Sequence, residues 1–112
     1  MRPHVLLALL ALLVPLVVAD RIVVWKPINS TSDPMVVDTA KFAVSEHNEE
    51  AKTNLVFESV VEGRYQVNAG IYYELVVKAK NDSSPASTAN YVTVVWDHHL
   101  GVRHLIDFYK KD

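Results

Sequence analysis

Hydrophobic and polar positions change period along this chain. Residues 5–18 form an apolar run broken only by Pro15, with no alternation at all. Between residues 36 and 51 the small apolar positions Val36, Ala40, Ala43 and Val44, with His47 and Ala51, recur at helical spacing. Glu46, Glu49, Glu50 and Lys52 point elsewhere, while Met35 and Phe42 make a second apolar patch off the main stripe. Asp33-Pro34 marks the helix start, because an aspartate caps free N–H groups and proline lacks the N–H that the first position cannot use. The helix is expected to end between Asn48 and Asn54.

From Leu55 onward the period is two. Leu55, Phe57, Ser59 and Val61 are placed on one face of a strand, with a bulge at Glu62-Gly63, and Tyr65 and Val67 resume beyond it. Ile71, Tyr73, Leu75, Val77 and Ala79 share one face of a second strand; Tyr72, Glu74, Val76, Lys78 and Lys80 share the other. YQVNAG, residues 65–70, joins the two as a hairpin. NDSSPAST reads as a loop, NYVTVVW as a third strand and RHLIDFYK as a fourth, joined by DHHLGV. Ahead of the helix, RIVVWKPI is a β-rich stretch. The pattern predicts an α+β domain, one helix packed across a four- to five-stranded antiparallel sheet.

The apolar run changes the starting point. Arg2 and His4 precede it, and Val17 and Ala19 suit the −3 and −1 positions of a signal-peptidase site. Residues 1–19 are therefore expected to be a signal peptide and residues 20–112 the mature domain. That domain has 93 residues, with ten basic side chains against thirteen acidic ones, a formal charge of −3. Such a balance gives no reason to expect nucleic acid or an anionic membrane surface as a partner. There is no cysteine, which removes disulfides, thiol catalysis and cysteine-ligated metals. Once the signal is removed, a secreted protein without membrane attachment is expected.

Candidate chemistry is sparse. No GxSxG, phosphate-cradling glycine loop or HExxH occurs, and no enzyme is expected. His98, His99 and His104 cluster, but adjacent histidines on an extended chain point to opposite sides, so neither a metal nor a cofactor is expected. Asn29 and Asn81 open two N-x-S/T sequons in predicted loops and are N-glycosylation candidates.

Three stretches resemble one family. DTAKFAVSEHN, residues 38–48, is similar to the helix signature of plant cystatins; WKPI, residues 25–28, to their first strand; and QVNAG, residues 66–70, to their QxVxG loop. The resemblance implies a cystatin-like fold and reversible inhibition of papain-like cysteine proteases in a plant defence setting. Three segments would form a wedge for the protease cleft: Val23 and Val24, the first loop Gln66, Val67, Asn68, Ala69 and Gly70, and the second loop His99 and Leu100. It further implies a secreted monomer, in the apoplast or vacuole, whose first hairpin can exchange into a domain-swapped dimer.

Each segment departs from the family pattern. Val23-Val24 stands where Gly-Gly is usual, Asn68 where valine is usual, and His99-Leu100 where Pro-Trp is usual; Trp96 is the strand tryptophan, not the contact one. An amide buried unpaired costs about 1–3 kcal/mol, and a lost contact tryptophan roughly 2 kcal/mol or more. About 4 kcal/mol in all would weaken binding roughly a thousandfold. A weakened inhibitor is expected, with a cystatin-fold binding or regulatory protein lacking inhibition as the alternative. Protonation of His98 and His99 near the edge would make binding pH-sensitive.

Overall fold

The computed structural model describes residues 24–83, 86–99 and 101–112. The expected signal peptide, together with Val23 and Leu100, lies outside them. Along the chain come β1 (Lys26–Pro27), α1 (Pro34–Ala51), β2 (Leu55–Val67), β3 (Ile71–Asn81), β4 (Ser87–His99) and β5 (Val102–Lys110). The five strands make one antiparallel sheet in the order β1-β2-β3-β4-β5. Only Lys26 and Pro27 of the β-rich RIVVWKPI stretch pair as strand among the described residues. The sequon at Asn81 falls on the last residue of β3 and not in a loop, whereas Asn29 is in a loop and exposed.

α1 starts where its capping chemistry requires. The Asp33 carboxylate accepts the Met35 N–H at 2.9 Å, and Pro34 occupies the first helical position. The helix ends by placing Lys52 in the left-handed region, with its N–H donating to the Asn48 carbonyl. Asn48 then holds the following chain. Its Oδ1 accepts the Thr53 hydroxyl at 2.8 Å and the Leu55 N–H at 3.0 Å, while its Nδ2 donates to the Leu55 carbonyl at 2.9 Å. The first residue of β2 is thereby fixed against the last turn of the helix.

The buried face of α1 is Val36, Thr39, Ala40, Ala43 and Val44. Small residues let the helix lie close to the sheet, where Leu55, Val60, Tyr73, Leu75, Val77 and Ala79 complete the core. Thr39 joins them because its hydroxyl donates to the Met35 carbonyl at 2.8 Å, so no polar group is left unpaired. Ala51, expected on the same face, is exposed. His47 is half-buried and stacks on Phe108 of β5, with ring centroids 4.0 Å apart.

β2 departs from simple alternation. Its register with β3 slips between Phe57 and Ser59 and again between Val60 and Val61's neighbour Glu62, leaving Glu58 and Val61 as the extra residues. The bulges thus lie ahead of Glu62-Gly63, not on it. The consequence is a change of face: Val60 is 7% exposed and belongs to the core, while Val61 is 46% exposed. Ser59 and Val61 therefore do not continue the inward face begun by Leu55 and Phe57. Two bulges also twist a β2 edge that β1 pairs at Arg64 and Tyr65, with the Ile28 N–H donating to the Gly63 carbonyl beside them.

This assignment predicts unequal effects from two adjacent valines. Val60→Ala should lower stability by about 2 kcal/mol, and Val61→Ala by less than about 0.5 kcal/mol. Urea denaturation of the two variants measures the difference.

Candidate functional edge

Antiparallel pairing brings three segments to one end of the sheet. β2 runs into the turn Asn68-Ala69-Gly70, and β4 runs into the turn before Val102. β1 pairs through Lys26 with Tyr65 and Pro27 with Arg64, so Val24 and Trp25 extend toward Gln66 and Val67. Arg64 secures that segment. Its guanidinium sits 4.5 Å from the Trp25 ring centroid, and its Nε is 2.6 Å from Glu74 Oε1. At the edge itself Val24 is 62% and Val67 71% exposed, and Asn68, Ala69 and His99 are exposed too.

The two hairpins are joined directly. The Trp96 indole N–H donates to the Ala69 carbonyl at 3.0 Å, linking β4 to the tip of the first loop. Gly70 has φ of +111° and lies so close to β4 that an added Cβ would be 2.6 Å from both the Asp97 carbonyl oxygen and His98 Cα. Glycine is required there on both counts. Ala69 also adopts a positive φ, 50°, which a non-glycine residue resists. Asn68, the residue expected to suit the tight turn, takes no positive φ; its N–H bonds the Gly70 carbonyl at 2.9 Å. The strain of the turn therefore sits on Ala69, held by the bond from Trp96.

The second hairpin is braced by a pair that spacing alone did not single out. Asp97 and Arg103 face each other in register across β4 and β5. Asp97 Oδ1 accepts the Gly101 N–H at 3.2 Å, and its Oδ2 lies 3.8 Å from Arg103 Nε. Arg103 continues to the helix, where Nη2 is 3.6 Å from Met35 Sδ. A cleft of 730 Å³ between the hairpins and α1 is lined by these side chains with Gly70, Ile71, Tyr73, His98 and His99. Burial raises the Tyr73 phenol above its ordinary value of 10.0, and the Asp97 carboxylate adds to the shift.

On the face away from α1, one row crosses four strands: Gln66, Tyr72, Trp96 and His104. Tyr72 stacks on Trp96 with centroids 5.7 Å apart. Gln66 Oε1 is buried with no hydrogen-bond partner among the described residues. His98 is the extra residue of a bulge between Asp97 and His99, so strict alternation with His99 fails here.

The comparisons agree on the lineage. A family model described as "Aspartic acid proteinase inhibitor" (SQAPI) matches residues 28–111. Cysteine proteinase inhibitor 5 of Arabidopsis thaliana is 45% identical over 94 residues, 82% of this chain and 75% of that protein. The chain belongs to the plant cystatins. A second cystatin relative, cysteine proteinase inhibitor 1 of Actinidia chinensis var. chinensis, is 45% identical over 87 residues, 77% and 72% of the two chains. The family is one of protease inhibitors and not of enzymes. The crystal structure of a salivary cystatin from the soft tick Ornithodoros moubata superposes with a TM-score of 0.66 at 15% identity, covering 80% of this chain and 97% of that one. At that identity the likeness is one of fold: the cystatin helix across an antiparallel sheet.

Two predictions test the geometry of this cystatin's edge. Gly70→Ala should cost about 1–3 kcal/mol, because the new methyl must push β4 away; thermal unfolding reads the loss. The raised Tyr73 phenol favours the folded state while it stays protonated, so that contribution is full below its ordinary pKa and is lost as pH rises through the higher folded value. Tyr73→Phe should flatten the alkaline fall in stability above about pH 10, measured as Tm against pH.

Proposed function

We propose that this cystatin is a secreted, reversible inhibitor of papain-like cysteine proteases, and that its edge enters the active-site cleft as a wedge. The observation that carries the reading is the joining of the two hairpins by Trp96 and Gly70 beside the exposed Val24 segment. A rigid edge loses little conformational freedom on binding, so more of its contact energy appears as affinity. Gln66, Val67, Asn68, Ala69 and Gly70 form the centre. Val23 and Val24 lie along one side, and His99 and Leu100 brace the other. No residue does chemistry, and no cofactor takes part. The two relatives of 45% identity, both named cysteine proteinase inhibitors, support the target class.

The departures in sequence set the strength. Asn68 is exposed in the free protein and carries no cost until a partner covers it. Inhibition is therefore weaker than a QxVxG loop with a Pro-Trp second loop would give. The test titrates the chain from Asp20 against a papain-like protease and follows substrate turnover. Micromolar inhibition is expected, and the triple change Val23→Gly, Asn68→Val and Leu100→Trp should strengthen it by about tenfold or more. No gain from the triple change contradicts the account of the edge.

A second reading has its own support. The family model matching residues 28–111 carries the description of an aspartic acid proteinase inhibitor, and it begins after Val23 and Val24. The same edge would then serve a pepsin-like protease. Inhibition of a pepsin-like enzyme but not of a papain-like one selects this reading. Inhibition of neither, by a folded domain, leaves a cystatin-fold binding protein.

A further inference from the structure

The histidines of the second hairpin are rearranged by the bulge at His98. That bulge turns the His98 ring onto the face that carries Trp96 and His104. The three rings form a closed cluster: His98 to His104 is 5.1 Å between centroids, Trp96 to His98 is 4.7 Å, and Trp96 to His104 is 5.5 Å. Both imidazoles are exposed. The pair close in space is thus His98 and His104, not the sequence neighbours His98 and His99.

We propose that His98 and His104 bind a divalent late first-row transition ion, of the Zn²⁺ or Cu²⁺ kind, at the base of the second hairpin. Imidazole nitrogens ligate such ions at about 2.0–2.1 Å, and each ring centroid lies about 1.1 Å beyond its nitrogen; two rings at tetrahedral angles then have centroids about 5 Å apart. The observed separation meets that spacing. His98 Nδ1 lies 3.4 Å from the Val102 carbonyl oxygen. With its proton on Nδ1, the ring donates to that oxygen and keeps the Nε2 lone pair for the ion, the arrangement that orients metal-bound histidines elsewhere. Among the described residues no group of three or more His, Cys, Asp or Glu side chains is gathered for a metal. Two imidazoles are therefore the protein's contribution there, with water completing the shell. Imidazole ligands select this class of ion over Mg²⁺ and Ca²⁺.

The site bears on the inhibitory edge through Trp96, which touches both rings and donates to Ala69 in the first loop. An ion bridging His98 and His104 ties β4 to β5 and stiffens the base from which Trp96 reaches. Its detection does not depend on any protease, so failure of the metal proposal and failure of the inhibitor reading are distinguishable.

The experiment titrates Cu²⁺ into the chain from Asp20 carrying Trp25→Phe, which leaves Trp96 as the only tryptophan in the chain. Saturable quenching is expected at an ion concentration on the order of 10–100 µM, reversed by chelator and competed by Zn²⁺. His98→Gln and His104→Gln should each weaken it about tenfold or more, while His99→Gln and His47→Gln leave it unchanged. In the unaltered chain, Zn²⁺ should raise Tm in a chelator-reversible manner, a readout that needs no variant. Quenching that survives both His98→Gln and His104→Gln, or no saturable effect below about 1 mM, overturns the proposal.

Discussion

The edge of this protein depends on how closely the first hairpin approaches β4. Gly70 lies against the Asp97 and His98 backbone at a distance that no side chain would permit. Trp96 then bonds the Ala69 carbonyl and holds an alanine in a left-handed conformation that it would otherwise avoid. Two hairpins that are separate in sequence become one connected rim. Arg103 and Asp97 continue the connection toward the helix on one face, and Tyr72 and Trp96 extend it across the sheet on the other.

Bulges explain how a regular sheet supports an irregular rim. The extra residues Glu58 and Val61 in β2, Ile106 in β5 and His98 in β4 each change which face a side chain occupies. In β2 the result is a core valine next to an exposed one. At His98 it is an imidazole cluster in place of alternating histidines. The small-residue face of α1 tolerates the resulting sheet twist, because alanines at 40 and 43 let the helix sit close without interlocking large side chains.

Much of this was legible in the sequence, and the exceptions share a cause. Asp33-Pro34 carries its own capping chemistry, so the helix start follows from local rules. The alternation of Ile71, Tyr73, Leu75, Val77 and Ala79 is regular, and the sheet's inner face follows from it. The bulges do not show, since Val60 and Val61 are the same residue and composition cannot say which turns inward. Trp96 is recognisable as a strand residue, but its bond to Ala69, 27 positions earlier, exists only once β3 and β4 pair. The Asp97–Arg103 brace and the His98–His104 contact likewise need the register of β4 on β5. Locally encoded features could be read from the chain, whereas features arising from the meeting of two hairpins could not.

The central claim is that this joined rim is the surface that meets a protease. Hydrogen–deuterium exchange of the chain from Asp20, with and without an active-site-blocked papain-like protease in saturating excess, tests it most directly. The account predicts added protection confined to the N-terminal segment, residues 66–70 and residues 98–101, with α1 unchanged. Protection on α1 or along the β2 edge, with the rim still exchanging freely, would contradict it.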